Sequence, residues 1–464
     1  MSSHGNCRRE TLKAGRNEPC PCHWEAPVTH RHATRKAFTM HLRITPAFAA
    51  ALLLAAAACA DDWPQFRGLH RDGAWNETGL LKTFPDDGLK IRWRAPVSFG
   101  WSSPVVAHGR VFVTDAELQK PAAKERVHCF DEKSGKPLWT FSYDVTYPEW
   151  AFVPGQGGGP TATPIIEDGR LYTVGANGHV HCLDTQTGAV IWERDLGKEY
   201  EVPEMNCHAS PLLEGSLLIL FTGAKPGACL LALDKISGKE IWKTLDEPAS
   251  NSSPIIAEAG GKRQLIVWTD ASVISLAPAT GATWWREPMV TSNNDAIATP
   301  VVQGNRLLIS GLMMELDARE PTATVLWPDT KVLARRILSH TSTAMMRGDF
   351  IFSARSSGEL VCLDAMTGKQ LWQTSTVTGL KSGASIHLTP TPDAVFLFTD
   401  KGELIRAELT PEGCHELARS PLIIPTSPFA GRNCAWAPPA YANRAVFARS
   451  DKEVVCASLA ENPK

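Results

Sequence analysis

The chain has 464 residues, with 47 lysines and arginines against 49 aspartates and glutamates, so its formal net charge is only −2 at pH 7. This balance, without a basic stretch beyond residue 60, argues against a nucleic-acid-binding surface. The length is sufficient for one large domain or several small ones.

The first sixty residues have the character of targeting sequence. Residues 40–60 begin at Met40, carry Arg43 before an apolar run and end in Ala-Cys-Ala, which is the layout of a secretory signal peptide. Residues 1–39 are basic and aperiodic, and we interpret them as a start-codon error or a disordered leader. A second interpretation makes Cys59 a lipoprotein cysteine. Ala56 stands where a lipobox prefers leucine, which favours a soluble exported form comprising residues 61–464.

One thirteen-residue pattern recurs along the rest of the chain. It reads VHCFDEKSGKPLW up to Trp139, VHCLDTQTGAVIW up to Trp192, LLALDKISGKEIW up to Trp242, VISLAPATGATWW up to Trp285 and LVCLDAMTGKQLW up to Trp372. Apolar residues alternate on both sides of a polar turn, and the Ser-Gly or Thr-Gly step supplies the positive φ that a short hairpin needs. The pattern therefore predicts two antiparallel strands around a tight turn.

A second hairpin precedes each copy, usually after a Ser-Pro or Thr-Pro step, as in SPVVAHGRVFVTD from Ser103. One unit is thus four short strands repeated about every 45 to 50 residues, the period of a propeller blade. Seven units are complete, and an eighth begins near Trp436 but lacks its outer strand. Residues 89–96 carry Trp93 without a hairpin before it. We predict an all-β, eight-bladed β-propeller of four-stranded antiparallel blades, closed by this N-terminal strand.

Tryptophan and cysteine fall at fixed places in the repeat. Each tryptophan is spaced to leave the outermost strand and pack on the next blade, which predicts a girdle of Trp93, Trp139, Trp192, Trp242, Trp285, Trp327 and Trp372. Blade 7 has CHELARSPL instead, so one link should be missing. Equivalent positions hold Cys129, Cys182, Cys362 and Cys456, which we expect to be separate buried thiols.

The Ala/Cys-x-Asp-x-x-Thr/Ser-Gly-x-x-x-Trp spacing resembles the tryptophan-docking motif of the pyrroloquinoline-quinone (PQQ) repeat. From Asp62 onward the chain looks like an exported PQQ-binding-like eight-bladed β-propeller. Relatives with this repeat include quinoprotein alcohol dehydrogenases and an outer-membrane barrel assembly lipoprotein that is an interaction scaffold. The resemblance implies the fold and leaves the function open, because one scaffold carries both enzymes and non-enzymes.

The resemblance to the dehydrogenases implies PQQ over a tryptophan in the central channel, a cap made by a disulfide between adjacent cysteines, and Ca²⁺ held by Glu, Asn and Asp. The chain has neither an adjacent cysteine pair nor a Cys-x-x-Cys-His haem motif. We interpret Asp131, Asp184, Asp234 and Asp364 as caps of the repeated turn. We therefore predict no catalytic residue and no metal site.

The remaining candidate site is the mouth of the central channel on the top face, where the outer strand of one blade connects to the inner strand of the next. Aligning the repeats places five candidate cofactor- or ligand-binding residues there: Trp101, His208, Asn251, His387 and Trp436. Closure makes Trp101 and Trp436 neighbours, which predicts a stacking pair, and Arg335 and Arg336 would add positive charge. Alternatively, these side chains only plug the channel, with their polar atoms satisfied by backbone and water.

Two long segments are candidates for partner binding. Residues 140–160 are aromatic and glycine-rich and join blades 1 and 2, whereas residues 420–433 are proline-rich. The second segment predicts exposed apolar side chains at Leu422, Ile423, Ile424 and Phe429. Long loops on a rigid scaffold often carry function, although they also wrap and cover blade edges.

We therefore predict a monomeric protein of the periplasm or the extracellular space that acts as a binding or scaffolding module. Its partner would be an unknown envelope protein or a small ligand at the top face, with no nucleic acid and no membrane span. The alternative is a quinoprotein dehydrogenase that oxidises an alcohol or a sugar with PQQ and Ca²⁺ but lacks the vicinal disulfide. A third hypothesis, a carbohydrate- or polymer-binding propeller, is supported only by the tryptophan-rich mouth.

Overall fold

A computed structural model describes residues 62–153, 155–156, 158–290, 296–329, 337–379 and 385–461. The predictions for the leader (1–39), the signal peptide (40–60) and a lipid anchor at Cys59 lie outside these residues, as do those for Arg335 and Arg336. In the described part of the chain, every helix is too short or too polar to cross a membrane.

The repeated pattern folds as two strands around a capped turn. In the first repeat, Cys129 pairs with Trp139 across the turn, where Gly135 has a φ of +67°. Asp131 closes this turn, because its Oδ1 atom accepts a hydrogen bond of 2.8 Å from the Ser134 amide. The same carboxylate-to-amide bond closes the turns that begin at Asp184, Asp234 and Asp364. The interpretation of these aspartates as turn caps is confirmed.

The first half of the ring follows chain order. Strand β1 (Ile91–Pro96) precedes blade 1, which contains β2 (Val105–Ala107), β3 (Arg110–Gln119), β4 (Ala122–Asp131) and β5 (Pro137–Val145). Blade 2 contains β6 (Ile165–Glu167), β7 (Arg170–Val174), β8 (His179–Asp184) and β9 (Val190–Asp195). Blade 3 contains β10 (Leu212–Glu214), β11 (Leu217–Ala224), β12 (Ala228–Asp234) and β13 (Glu240–Thr244). Blade 4 contains β14 (Ile255–Ala259), β15 (Lys262–Trp268), β16 (Ser272–Leu276) and β17 (Thr283–Pro288).

The second half repeats the arrangement. Blade 5 contains β18 (Val301–Gln303), β19 (Arg306–Ile309), β20 (Leu312–Leu316) and β21 (Ala323–Trp327). Blade 6 contains β22 (Met345–Arg347), β23 (Phe350–Ala354), β24 (Leu360–Asp364) and β25 (Gln370–Thr374). Blade 7 contains β26 (Ile386–Pro390), β27 (Val395–Thr399), β28 (Glu403–Thr410) and β29 (Gly413–Pro421). A small hairpin, β30 (Ser427–Phe429) and β31 (Arg432–Cys434), leads to β32 (Ala440–Ala442), β33 (Ala445–Arg449) and β34 (Glu453–Ser458). Short 3-10 helices cover Glu149–Phe152 and Leu196–Lys198.

Blade 8 closes the ring with strands from both ends of the fold. Its four-stranded sheet has the order β1-β34-β33-β32, so the N-terminal strand supplies the outer edge. Arg94 in β1 lies opposite Val455 in β34, and the pairing is antiparallel. The eight four-stranded sheets confirm the predicted propeller and its closure.

Tryptophan docking joins most neighbouring blades. Each docking indole donates its Nε1 hydrogen to a backbone carbonyl in the turn of the following blade: Trp93 to Glu132, Trp139 to Thr185, Trp192 to Lys235, Trp242 to Pro278, Trp327 to Ala365 and Trp372 to Thr410. In five of these joints the ring also covers the turn glycine, at Gly135, Gly188, Gly238, Gly281 and Gly368. Trp93, for example, lies 2.5 Å from where a Cβ of Gly135 would be. Only glycine therefore fits beneath the ring.

The prediction for Trp285 is wrong. Its Nε1 hydrogen bonds to the side-chain oxygen of Gln264 in its own blade at 3.0 Å. The corresponding turn of blade 5, residues 317–322, has no glycine over which an indole could lie. Blades 4 and 5 are instead joined by a buried apolar cluster that includes Trp268 and Leu307. The girdle consequently lacks two links, here and between blades 7 and 8.

The N-terminal segment supplies the contact that blade 7 lacks. Trp75 packs on Phe396 of blade 7 and on Tyr441 of blade 8, with ring centroids 6.2 and 5.3 Å away. The Trp75 amide donates to the Pro390 carbonyl, and the Leu89 amide to the hydroxyl of Ser420. Residues 62–90 thus fasten the last full blade to the closing blade.

Cys129, Cys182, Cys362 and Cys456 are free thiols. They belong to four different apolar clusters, which confirms that they are separate buried side chains.

Replacing Gly238 with alanine should lower the free energy of unfolding by about 2 to 4 kcal/mol, because a Cβ there adds a clash to backbone strain. Gly238 has a φ of +71°, and its Cβ position lies 2.7 Å from the Trp192 ring. Gly215 is a matched control in the same blade, with a φ of +59° and open space around it. Urea unfolding of Gly215→Ala should show only the strain, about 1 kcal/mol. Equal losses in the two variants would contradict the docking role of the indole.

Candidate functional site

Three of the five predicted mouth residues come together. The rings of Trp101 and Trp436 are 6.4 Å apart at 61°, so they meet edge to face and the predicted stacking is wrong. His387 donates from Nε2 to the Trp436 carbonyl at 3.0 Å. His387 lies inside β26, paired with Phe398, and not in the connection before it as the repeat alignment had placed it.

The other two predicted residues lie in connections farther round the mouth. His208 precedes β10, and its Nδ1 atom shares a 2.7 Å hydrogen bond with the hydroxyl of Thr161 in the previous connection. Asn251 is half-buried and precedes β14. The hydrogen bonds of His208 and His387 therefore tie connections and strands to each other, as expected if these side chains plug the channel. A ligand-binding role for the five residues stays a prediction.

Both histidines have lowered pKa values. Burial in the mouth removes water from the imidazoles, and this desolvation lowers the pKa of His208 and of His387 to about 4. Within this net lowering for His387, the hydrogen bond to Trp436 acts in the raising direction and the charge of Arg67 in the lowering direction on the pKa. Both side chains are therefore neutral at pH 7.

The two long segments meet beside Trp101. A Cβ on Gly155 would lie 2.3 Å from the Pro428 carbonyl oxygen, so the backbone of the first segment touches the β30–β31 hairpin of the second. The Trp101 indole donates to Ser427 at 3.0 Å, and the Ser427 hydroxyl donates to Asp451 at 2.6 Å. A cleft of about 210 Å³ opens between the segments, and Phe99, Trp101, Leu118, Phe152 and Val153 form its apolar walls.

The prediction of four exposed apolar side chains in the second segment is half wrong. Leu422 and Ile423 are buried, because their amides donate to the Gly402 carbonyl and their side chains pack against blades 7 and 8. Ile424 and Phe429 are exposed, at 73% and 41%. This segment therefore covers a blade edge at its start and presents apolar surface farther on.

Residues 62–75 fill part of the channel, which was not predicted from the sequence. Trp63 bridges to Val106 in β2, and the Ile166 amide in β6 donates to the Pro64 carbonyl. Arg71 is 7% exposed and donates to three carbonyls, those of Ser210, Pro211 and Pro254, at 2.8 to 3.0 Å. The signal available in the sequence was a set of aromatic residues before β1, at positions 63, 66 and 75, that fits no repeat.

This filling leaves one larger cavity. About 630 Å³ lies between residues 64–72 and the inner strands of blades 2 to 5. Arg67 and Arg71 border it, as do Glu214, Glu258 and Arg263. Arg263 makes ion pairs with both glutamates, so one guanidinium is shared between two carboxylates.

The residues at the mouth do not fit the cofactor arrangement that the resemblance to dehydrogenases implies. The five predicted residues include no carboxylate to bind Ca²⁺. Among the residues for which the structure gives a position, no three histidine, cysteine, aspartate or glutamate side chains are close enough to share a metal ion. Residues 62–75, with the Arg71 side chain, also occupy channel space.

Comparisons with known proteins agree on the fold. The family model PQQ_2, described as outer membrane protein assembly factor BamB, matches residues 123–374 and 316–412, which together are more than half of the chain. The outer membrane protein assembly factor BamB of Burkholderia pseudomallei is 28% identical over 236 residues, which are 48% of this chain and 58% of that protein. The chain therefore spans less than two thirds of this relative.

Solved structures show the same architecture. Quinohemoprotein alcohol dehydrogenase from Comamonas testosteroni superposes with a TM-score of 0.62 at 13% identity, covering 89% of this chain and 83% of that one. BamB from Moraxella catarrhalis superposes with a TM-score of 0.55 at 16% identity, covering 80% and 99%. At these identities the likeness establishes the fold alone.

Replacing Arg71 with methionine should lower the free energy of unfolding by about 2 to 4 kcal/mol, because three carbonyls lose a buried charged donor. Burial, followed by the charge of Arg67, lowers the pKa of Arg71 to about 9, so the guanidinium still carries its charge at pH 7. Arg94→Met removes a surface ion pair with Glu453 and should cost less than about 0.5 kcal/mol. Urea unfolding of both variants tests this. A small loss at Arg71 would contradict its role in fastening the segment.

The free energy of unfolding should fall at acid pH, in part because of the titration of His387. Its folded pKa of about 4 lies below the ordinary value of 6.5, so the unfolded chain takes up a proton between pH 6.5 and 4 that the folded chain does not. Stability is therefore fully present above pH 6.5 and falls as the pH drops, by at most about 1.4 kcal/mol per unit for this group. His387→Gln keeps a donor for the Trp436 carbonyl and should flatten the profile. Urea unfolding between pH 4 and pH 7 measures both profiles, and a profile as steep in His387→Gln as in the parent protein would contradict this assignment.

Proposed function

Because the chain belongs to the family PQQ_2, described as outer membrane protein assembly factor BamB, we propose that it is an exported scaffold that binds an envelope protein through its top face. The observation that carries this proposal is that both long segments on the top face expose large apolar side chains. Trp150, Val153, Ile424 and Phe429 are each more than 40% exposed. Contiguous exposed apolar surface is typical of sites of protein association.

The filled channel also supports a surface role. Residues 62–75 contact the inner strands of blades 1, 2 and 7, and Arg71 bonds to the residues that precede β10 and β14. A ligand entering the centre of the ring would compete with these contacts. The loops on the top face, in contrast, are accessible without any displacement of the fold.

We place the protein in the periplasm or at another site outside the cytoplasm, on the strength of the predicted signal peptide at residues 40–60. A lipid anchor at Cys59 is the alternative form. The partner in this proposal is a protein of the cell envelope, and the family description makes a component of outer-membrane protein assembly the first candidate.

Photo-crosslinking in cells tests the proposal. A photoreactive residue at Phe429 should crosslink an envelope protein, whereas one at Ile236, which is 53% exposed in a turn of blade 3, should not. Adding Ile424→Asp should reduce the Phe429 crosslink about tenfold, because a carboxylate would be desolvated at the contact. Ile236→Asp is the matched control. Mass spectrometry identifies the crosslinked protein.

The quinoprotein alternative makes a different prediction, which is tested on the purified protein. Saturable quenching of tryptophan fluorescence by PQQ that requires Ca²⁺, with no crosslink at Phe429, would overturn the scaffold proposal. Loss of that quenching in Trp101→Phe would place the quinone at the predicted mouth.

A further inference from the structure

We propose that the cleft between the two long segments binds one large uncharged side chain, aromatic or branched aliphatic, of the partner protein. This inference rests on the proposed scaffold function and specifies the chemistry of its contact. The cleft is the part of the top face where a projecting group finds walls on several sides.

The size and lining of the cleft suit such an anchor. Its volume of about 210 Å³ is comparable to that of one large residue. Phe99 and Trp101 come from the connection between blades 8 and 1, Leu118 from the end of β3, and Phe152 and Val153 from the first long segment. Aromatic and aliphatic walls from three parts of the chain enclose the space, so a single apolar side chain would be buried against all of them.

The cleft is already formed in the protein. Trp101 is held by its hydrogen bond to Ser427, which in turn donates to Asp451. Asp451 also accepts a bond from Thr426, and the Trp101 amide donates to the Pro160 carbonyl at 3.0 Å. An anchor therefore enters without reordering the walls, which lowers the entropic cost of association.

Charge determines what the cleft excludes. Two charged residues line it, Lys120 and Asp451. Lys120 forms an ion pair with Glu149, while Asp451 accepts hydrogen bonds from the Ser427 and Thr426 hydroxyls and the Gly100 amide. A charged occupant would lose its hydration and find both potential partners engaged, so the cleft favours an uncharged group.

The surroundings of the cleft indicate a protein, not a small molecule. Val153, which lines the cleft, is 50% exposed, and Trp150, three residues before it in the chain, is 43% exposed. The edge of Phe429 contacts Trp436, with centroids 5.2 Å apart, and 41% of Phe429 remains exposed on the other segment. These side chains extend the apolar surface beyond the cleft, where only a partner with its own surface would cover them.

The first test uses defined side-chain analogues on the purified protein. N-acetyl-tryptophanamide and N-acetyl-leucinamide should shift the NMR signals of the Trp101 indole N–H and the Gly158 amide saturably, with a dissociation constant of about 1 mM. N-acetyl-lysinamide should not shift either signal.

Two variants test the position of the bound group. Leu118→Trp fills the cleft and Val153→Asp places a carboxylate at its rim. Each should weaken binding about tenfold. Leu138→Trp, the same substitution at an exposed position in β5 of this blade, should leave binding unchanged.

The second test links the cleft to the partner. Leu118→Trp should reduce the Phe429 photo-crosslink about tenfold, and Leu138→Trp should not. Analogues that leave both NMR signals unmoved, or a lysine analogue that binds equally well, would overturn the assignment of the cleft. A crosslink that persists in Leu118→Trp would overturn it while the scaffold function stands. Absence of any crosslink in the parent protein would overturn the scaffold function itself.

Discussion

The propeller depends on one repeated interaction, the contact between a tryptophan indole and the glycine backbone of a turn in the next blade. A propeller blade is a thin sheet that cannot bury both its faces alone, so its stability depends on its neighbours. Here the tryptophan of one outer strand lies flat on the next blade's turn and donates to the carbonyl of the residue after the capping aspartate, as Trp139 does at Thr185. The aspartate closes the turn, the glycine leaves room for the indole ring, and the tryptophan packs on the turn that these two residues form. The motif therefore stabilises the interface between two blades, not the fold of a single blade.

The two joints without this contact show what can replace it. Between blades 4 and 5 the replacement is ordinary apolar burial around Trp268. Between blades 7 and 8 it is a separate piece of chain, in which Trp75 inserts between Phe396 and Tyr441. Strand β1 then closes blade 8 from the same end of the chain. The N-terminal segment thus fastens a weak joint, completes the last sheet and fills the channel, so these three features are expected to form or fail together.

The features that could be predicted from sequence are those with local causes. The alternation of apolar residues and the Asp-x-x-Thr/Ser-Gly turns are written within each repeat, and they were sufficient for the hairpins, the blade count and the closing role of Trp93. Trp285 was mispredicted because docking depends on the turn of the following blade, which lacks glycine at residues 317–322. Arg71 was beyond prediction, because its carbonyl partners lie about 140 and 183 residues away in sequence. Leu422 was predicted to be an exposed loop residue because the blade edge that buries it cannot be recognised from the neighbouring sequence.

The difference between local and long-range contacts also explains why the candidate site lies on the connections between blades. Short inner strands and a filled channel leave little freedom at the centre, where a new side chain would have to displace Arg71 or its neighbours. The connections on the top face are held to the blades at their bases, as where the Trp101 amide bonds to the Pro160 carbonyl and the Ala116 amide to the Phe99 carbonyl. Beyond those bonds Trp150 and Ile424 project into solvent. The ring therefore holds the base of the binding surface in place, while the side chains at its tips can differ without cost to the fold. In the proposed scaffold function, the side chains of the two long segments would contact the partner, and the repeats would determine where these segments lie.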